Sequence, residues 1–250
     1  MIIRNDAQLA GLQRTGKLVA RILVAMQAHA RPGMTTLELD DYAGHLLSQA
    51  GAESAPRQCY DFPGHTCISI NEQAAHGIPT ARVMHADDLI NIDVSAVLDG
   101  YFADTGGSFV LAPYNQNTHL KQRLCHAALS ARDAGIALVR TGQRLNKIGH
   151  HIERTIRFAG FCNVRTLCGH GIGTMLHEEP ALRNYFDLRD NQTLQDGQVI
   201  TVEPFLSTNV SRVHLSDDGW TLLGRPHSLF AQFEHTLVVR NGRPIILTLP

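Results

Sequence analysis

The segment DLINIDVSAVLDGYFADTGGSFVLA, residues 88–112, constrains the fold of this chain more than any other. Apolar residues alternate with other residues on both sides of Asp99-Gly100, a dipeptide typical of a two-residue type I′ turn. Such a turn joins two adjacent antiparallel strands and fixes which residues face each other across them. The segment therefore predicts a long β-hairpin with a defined register.

Two carboxylates share one face of this predicted hairpin. Paired positions sum to 199 around the turn, so Asp93 faces Gly106 and Ser95 faces Asp104. Asp93 and Asp104 are then diagonal neighbours, with backbones ~7–8 Å apart. One acid alone would be interpreted as an exposed charge. Two acids on one apolar-flanked face repel each other unless a cation lies between them, so the pair predicts a bound cation.

A set of landmarks recurs along the chain at a constant offset. Arg31-Pro-Gly33 opens a helical stretch that closes at Ala50-Gly51, and Arg140-Thr-Gly142 opens another that closes at Ala159-Gly160. Corresponding landmarks lie 109 positions apart in both cases, as 31 and 140 show. Such short matches can arise by coincidence. The alternative explanation, which the constant offset favours, is that the two halves of the chain are duplicates.

Each landmark stretch follows a longer amphipathic helix, predicted over residues 6–30 and from Asn117 to Val139. Strand-like segments come next in both halves: Cys67–Asn71, Asp88–Leu111, Val199–Leu206 and Phe233–Val239. The order predicts a pseudo-symmetric α+β domain over residues 1–250, with halves of about 1–112 and 113–250 and helices packed outside an antiparallel sheet. A site in such a domain is expected where the halves meet.

The second half supplies three further metal-ligand side chains. Glu203 lies in the strand-like run QVITVEPF and Glu234 at the entrance to the strand-like run AQFEHTLVV, where acids are depleted. His170 lies in GHGIGTMLHEEP, whose glycines allow the backbone to approach other groups closely. With the hairpin pair they make four carboxylates and one imidazole, a donor set suited to Mn, Co, Fe or Zn. Four carboxylates suit two bridged ions better than one.

Composition narrows the class of protein. The chain has 22 basic and 23 acidic residues with no block of like charge, which argues against a nucleic-acid or membrane surface. Five cysteines without a CxxC pair predict neither a disulfide framework nor a structural zinc site. With no signal peptide and no membrane span in the sequence, we expect a cytoplasmic protein. No long exposed apolar stripe is evident, so a monomer is expected.

Taken together, these motifs resemble the type I methionine aminopeptidases, a bacterial-type family of metallopeptidases with the pita-bread fold. The resemblance covers about the whole chain, and the motifs fall in the order of that family. The short run between His170 and Glu203 leaves no room for the helical insert of the type II enzymes. The segments that carry the resemblance are CISINEQAAHGIP, NIDVSAVLDGYFADTGGSF, GHGIGTMLHEEP, TVEPF, DGWT and AQFEHTLVV.

The resemblance implies a two-metal centre held by five ligands: Asp93, Asp104, His170, Glu203 and Glu234. It implies that a hydroxide bridging two divalent metals attacks the first peptide bond of a substrate. Glu203 would also shuttle the proton, His177 would stabilise the oxyanion, and His76 would contact the scissile amide. The substrate would be the N-terminus of a peptide or nascent chain, which would place the protein near the ribosome.

Several positions depart from the family pattern in the substrate pocket. Pro56 stands where a cysteine is common, Leu176 where an aromatic residue usually precedes the second loop histidine, and Phe230 where some relatives have a serine at a monovalent-cation site. Phe62 and Trp220 match aromatic positions of the pocket. These changes leave the metal ligands intact and affect the expected substrate preference.

Three functions remain open from the sequence. The first is removal of an N-terminal methionine before a small second residue. The second is a paralogous dinuclear-metal aminopeptidase with another N-terminal or Xaa-Pro specificity. The third is a non-catalytic pita-bread protein used for binding, which the complete ligand set disfavours.

Overall fold

The computed structural model describes residues 1–115 and 118–250. Within these residues the helices are α1 (Asp6–His29), α2 (Thr36–Gln49), α3 (Ala55–Tyr60), α4 (Thr118–Ile136) and α5 (Leu145–Phe158). The strands of the first half are β1 (Glu53–Ser54), β2 (Cys67–Ile70), β3 (Gln73–Ala75), β4 (Leu89–Leu98) and β5 (Tyr101–Val110). The predicted start of the fourth helix at Asn117 lies outside the described residues.

The second half has shorter strands and more of them. They are β6 (Cys162–Asn163), β7 (Cys168–Gly171), β8 (Glu178–Arg183), β9 (Val199–Val202), β10 (Phe205–Ser207), β11 (His214–Leu215), β12 (Leu222–Leu223), β13 (Phe230–Gln232), β14 (His235–Arg240) and β15 (Arg243–Ile246). All strand pairs in the described part of the chain are antiparallel. None of the helices in this part is long and apolar enough to span a membrane.

The predicted hairpin is confirmed residue by residue. Strands β4 and β5 pair over their whole length, with Asp93 opposite Gly106 and Ser95 opposite Asp104. The turn residue Asp99 has φ 52° and the glycine after it has φ 78°, as a type I′ turn requires. Helix α1 packs on both strands of this hairpin, and the opposite edge of β4 pairs with β1 and β2.

The antiparallel strands of the described residues are divided among four hydrogen-bonded sheets. One sheet contains β1, β2, β4 and β5, and a second has the order β15-β14-β9-β7-β8. The orders β13-β10-β6 and β11-β12-β3 describe the two smaller sheets. The first sheet meets the strands of the second half through a bridge from Gly107 to Phe233 and a 2.9 Å hydrogen bond from Glu234 N–H to Gly106 O.

The 109-residue offset is confirmed in the helices. Helices α2 and α5 both contain 14 residues, and their bounds differ by that offset at each end. The glycines that precede and follow them have positive φ: Gly33, Gly142, Gly51 and Gly160. Each helix packs on its own core, one built from residues of the first half and the other mainly from residues of the second. The two halves therefore repeat the same helix-on-sheet packing.

Two predicted strands are interrupted in the structure. The run 199–206 breaks at Glu203-Pro204, between β9 and β10, and the run 233–239 begins with Phe233 and Glu234 outside β14. At each break the chain leaves one sheet and enters another, because β9 and β14 belong to the five-stranded sheet while β10 and β13 pair with each other. Apolar residues lie on both sides of each break; Pro204 marks the first, because proline cannot donate to a strand ladder, and no such residue marks the second.

Candidate active site

The hairpin carboxylates lie near its centre and point into the space between the halves. Ser95 donates a 2.8 Å hydrogen bond from its hydroxyl to Oδ1 of Asp104, while Asp104 N–H donates to the Thr236 hydroxyl at 3.0 Å. Thr236 in turn donates its hydroxyl hydrogen to the Asp104 carbonyl oxygen at 2.7 Å. Strand β14 thus fixes the backbone of Asp104, and β4 fixes one oxygen of its carboxylate.

The two glutamates lie at the strand breaks and are oriented by a residue two positions earlier. Thr201 donates its hydroxyl hydrogen to Oε1 of Glu203 at 2.7 Å. Gln232 donates from Nε2 to Oε2 of Glu234 at 3.1 Å. Both glutamates are buried. A broken strand frees each carboxylate from sheet geometry, and the neighbouring polar side chain fixes its direction instead.

His170 lies in β7, at a point where the pairing with β8 is irregular. Both neighbours of His170 must be glycines because the adjacent strands leave no room for a side chain. A Cβ at Gly169 would lie 2.6 Å from the Thr201 carbonyl oxygen. A Cβ at Gly171 would lie 2.3 Å from the carbonyl oxygen of Glu179. The glycines therefore allow β7 to lie tightly between its neighbours, which brings the His170 ring to the carboxylates.

The His170 ring is oriented as a ligand would be. Its Nδ1 lies 2.9 Å from the Gly171 carbonyl oxygen, which can only accept, so Nδ1 carries the proton. Nε2 faces the acids, at 3.3 Å from Oε1 of Glu203 and 3.9 Å from Oδ2 of Asp104. Burial lowers the pKa of His170 to about 4, so the ring is neutral near pH 7. A neutral imidazole with its second nitrogen bonded to a carbonyl is the common form of a histidine metal ligand.

The carboxylates are electrostatically unbalanced in the absence of a cation. Burial and then the charge of Asp104 raise the pKa of Asp93, Glu203 and Glu234 well above its usual range. Oδ1 of Asp93 and Oε1 of Glu234 are buried without a hydrogen-bond donor. Donor atoms of Asp104, His170 and Glu234 lie within 4.8 Å of one another. Buried acceptors without donors fit divalent cations, which accept several oxygen ligands at once.

Two further histidines border the cavity that leads to these acids. His76 follows β3 with φ 54°, a conformation uncommon for residues other than glycine. His177 lies just before β8, with its ring centroid 4.3 Å from that of His170. Both side chains remain accessible to solvent and line the cavity. The structure thus brings together both loop histidines that the sequence singled out.

Glu178 fixes the loop that carries His177. Its Oε1 accepts hydrogen bonds from Thr174 N–H and Thr174 hydroxyl at 2.7 Å each, and from Met175 N–H at 2.9 Å. Met175 is half exposed and does not line the cavity. The next residue, Leu176, is buried and lines the cavity.

The cavity is small. Its whole volume is about 190 Å³, and its apolar wall includes Pro56, Phe62, Leu176 and Trp220. Phe62 and Trp220 meet edge to face with ring centroids 5.2 Å apart. The Trp220 loop is held by Asp218, whose carboxylate accepts from the backbone N–H of Trp220 at 2.8 Å. Pockets for drug-sized ligands are ~300–1,000 Å³, so this one suits a single side chain.

Four lining residues were given no site role from the sequence: Tyr60, Cys67, Ser95 and Phe205. Cys67 lies opposite Asp93 in the β2–β4 pairing, and this register explains why it lies beside the hairpin carboxylates. Tyr60 lies at the end of α3, in a segment whose pattern carries no ligand or turn signal. By contrast Phe230, at the position where some relatives have serine, is buried in an apolar cluster with Ala74 and Phe205.

Comparison with known proteins gives consistent matches over the whole chain. Residues 10–241 match the model of metallopeptidase family M24. The chain is 44% identical over 250 residues to methionine aminopeptidase 2 of Bacillus subtilis (strain 168), covering 99% of both chains. It superposes on the crystal structure of methionine aminopeptidase from Rickettsia prowazekii with a TM-score of 0.94, at 34% identity and with complete coverage of both chains.

More distant structures share the fold only. Prolidase from Pyrococcus furiosus matches all of this chain and 66% of its own, with a TM-score of 0.80 at 20% identity. Together these superpositions confirm the predicted α+β pita-bread architecture. The expected roles of the individual site residues stay predictions.

Proposed function

The chain belongs to metallopeptidase family M24, and on that premise we propose that it is a methionine aminopeptidase that removes the first residue of peptides with a small second residue. The observation that carries the proposal is the convergence of four carboxylates and one neutral imidazole beside a cavity for one apolar side chain. This arrangement combines a site for divalent metals with a recognition site for one apolar side chain.

Five residues hold two divalent ions in this proposal: Asp93, Asp104, His170, Glu203 and Glu234. The oxygen-rich set with one nitrogen fits Mn, Co, Fe or Zn, and the supply of metal decides among them. When bound, such ions supply Lewis acidity that lowers the pKa of water and polarises a peptide carbonyl group. The side chains hold the ions rigidly because Ser95, Thr201 and Gln232 each fix one carboxylate oxygen.

The remaining steps are assigned to side chains of this chain. The Glu203 carboxylate accepts a proton from the attacking water and returns it to the leaving nitrogen. His177 donates a hydrogen bond to the oxygen of the scissile carbonyl as negative charge develops there. His76 donates to the scissile amide. The cavity lined by Phe62, Leu176 and Trp220 receives the first side chain.

The proposal extends to the molecule as a whole. All 250 residues form one catalytic domain whose halves meet near residue 112, and it acts as a monomer. The substrate is the N-terminus of a peptide or nascent chain, encountered in the cytoplasm and near the ribosome. Family membership and the near-balanced charge support these assignments, and neither nucleic acid nor membrane is needed for the reaction.

A second candidate keeps the metals and changes the substrate. Leu176 replaces a ring with a smaller aliphatic side chain, while Pro56 stiffens the start of α3 on the opposite wall. A pocket altered in this way would accept other N-terminal residues or Xaa-Pro peptides.

Cleavage of a peptide library varied at its first two residues tests both candidates. The protein is stripped with EDTA and resupplied with Mn, Co, Fe or Zn, and a Glu203→Ala variant serves as the inactive control. We expect the fastest release of Met before Ala, Gly or Ser, and no release without metal. Preferred release of another residue would establish the second candidate. No release with any metal would contradict both and leave a binding protein.

A further inference from the structure

Tyr60 makes a contact that neither the motifs nor the metal site explains. It is the last residue of α3, and its hydroxyl oxygen lies 2.7 Å from Nδ1 of His177. The two rings are 5.5 Å apart at an interplanar angle of 38°. The residues are 117 positions apart in sequence and come from different halves. A side chain of the first half thus binds directly to a histidine of the second.

The contact fixes which His177 nitrogen faces the substrate. A neutral imidazole has one donor nitrogen and one acceptor nitrogen, and the partner of one determines the role of the other. When the Tyr60 hydroxyl donates to Nδ1, the ring proton lies on Nε2. Among the described residues no hydrogen-bond partner contacts Nε2. That nitrogen is therefore the donor left for a ligand in the cavity.

The support beneath Tyr60 is rigid. Helix α3 begins with the Ser54 hydroxyl as its cap, has Pro56 in its first turn, and ends at Asp61 in the left-handed region. The Ser54 hydroxyl also donates to the His65 carbonyl oxygen at 2.7 Å, which ties the helix to the segment after it. Tyr60 is 42% exposed, so without the bond to His177 its ring would have freedom to leave the cavity. The hydrogen bond also restrains the exposed His177 ring.

We propose that Tyr60 is a positioning residue that donates its hydroxyl hydrogen to Nδ1 of His177 and so holds Nε2–H toward the scissile carbonyl oxygen of the substrate. The inference deepens the proposed aminopeptidase function and rests on it. Tyr60 acts through His177 and does not need to touch the substrate. Pro56, a departure from the family pattern, acquires a role here as part of the short helix that carries Tyr60.

A double-mutant cycle tests this role by steady-state kinetics on the metal-loaded full-length protein. Tyr60→Phe keeps the ring and removes only the hydroxyl. We expect it to lower kcat about tenfold, the effect of losing one neutral hydrogen bond, and to leave KM within about twofold. In a His177→Ala background the same change should alter kcat by less than about twofold. Tyr42→Phe, a tyrosine of α2 stacked on His29 at 4.2 Å, is the matched control and should change neither constant.

An independent measurement concerns the tautomer itself. With ¹⁵N-labelled histidine and the diamagnetic Zn-loaded protein, the His177 signal should report protonated Nε2 in the natural sequence and a mixture in Tyr60→Phe. An equal loss of kcat in both backgrounds, no loss in either, or a natural His177 protonated at Nδ1 would each overturn the inference. A natural protein that releases no N-terminal residue would instead refute the proposed function, so the two failures are distinguishable.

Discussion

The two halves of the molecule each bring two carboxylates to the site, yet they do so in different ways. Asp93 and Asp104 lie inside regular strands of one hairpin. Glu203 and Glu234 lie where the chain leaves one sheet for another, and each depends on a hydrogen bond from Thr201 or Gln232. In the hairpin, the register of the ladder places both carboxylates, and Ser95 on the facing strand then fixes one oxygen of Asp104. A break positions a ligand only with the help of a neighbouring side chain.

The largest expected effect tests whether both kinds of ligand are equally necessary. We expect Asp104→Ala from the hairpin and Glu203→Ala from the strand break each to lower turnover by at least ~10³-fold, because each removes a charge that balances the cations. Release of Met from a Met-Ala peptide at saturating metal measures this. Asp41→Ala, which removes an exposed carboxylate from α2, is the control. Full activity in either site variant would disprove the two-metal assignment.

The histidines contributed by the halves should differ in their kinetic signature. We expect His177→Ala to lower kcat ~10²–10³-fold, the range for loss of an oxyanion donor, with metal content unchanged. His76→Ala should raise KM as well as lower kcat, since a contact to the amide is made before the transition state. Kinetics together with metal analysis check both. Loss of metal from His177→Ala would mean that His170 and His177 have been assigned the wrong way round.

The cavity walls give a third comparison. We expect the natural protein to release Leu or norleucine detectably in addition to Met. The reason is that Leu176 is smaller than an aromatic residue and makes the second-half wall of the cavity less restrictive. Leu176→Phe should raise the Met-to-Leu ratio of kcat/KM about tenfold, within the ~1–3 kcal/mol available from small changes in an apolar pocket. Pro56→Cys on the first-half wall should have a smaller effect. An unchanged ratio in Leu176→Phe would show that Leu176 does not shape the pocket.

Removal of metal should reveal the strain that both carboxylate pairs share. Unfolded carboxyls have pKa values near 4, whereas burial and mutual repulsion raise those of Asp93, Glu203 and Glu234 well above this. Between these values the folded chain binds more protons than the unfolded chain, so its stability falls as pH rises. Histidines whose pKa is lowered by burial, such as His170 and His235, act in the opposite direction below about pH 7. We therefore expect the melting temperature of EDTA-treated protein to fall by several degrees between about pH 7 and pH 9.

Two variants sharpen this comparison of metal-free stability. Asp93→Asn and Glu234→Gln each remove one repelling charge, so the fall in melting temperature should be smaller in both than in the natural protein. Protein reloaded with Mn should show the smallest dependence. A metal-free melting temperature that rises over this pH range would contradict the direction of the pKa shifts.

The smallest effect concerns the duplicated helices. The Thr35 hydroxyl accepts from Glu38 N–H and Glu38 reaches back to Thr35, which caps α2, whereas Arg144 at the start of α5 makes no side-chain cap. Thr35→Ala should lower the free energy of unfolding by about 1 kcal/mol, and Arg144→Asn should raise it by a similar amount. Thermal unfolding would show shifts of about 2–4 °C. If both substitutions changed the free energy of unfolding in the same direction and by the same amount, the caps would not distinguish the halves.

The difference between the halves also explains what could be predicted from sequence. The hairpin register followed from alternation and one turn dipeptide, and the paired helices followed from glycines with positive φ at corresponding positions. Only Pro204 marks the break at Glu203 in the sequence, and no residue marks the break at Glu234, because apolar residues continue while the chain changes sheet. The Tyr60 contact with His177 has no local signal, since it depends on how two distant loops pack.

The small cavity has a consequence for the timing of the reaction. Asp104, Glu203 and Glu234 are buried and the cavity holds one side chain, so the proposed substrate has to present its first residue in an unfolded, extended segment. A substrate protein whose N-terminus has already docked into its own fold cannot present that end. Under the proposed activity, removal of the first residue therefore competes with the folding of the substrate. A slow-folding or frayed N-terminus stays available, and a rapidly buried one keeps its first residue.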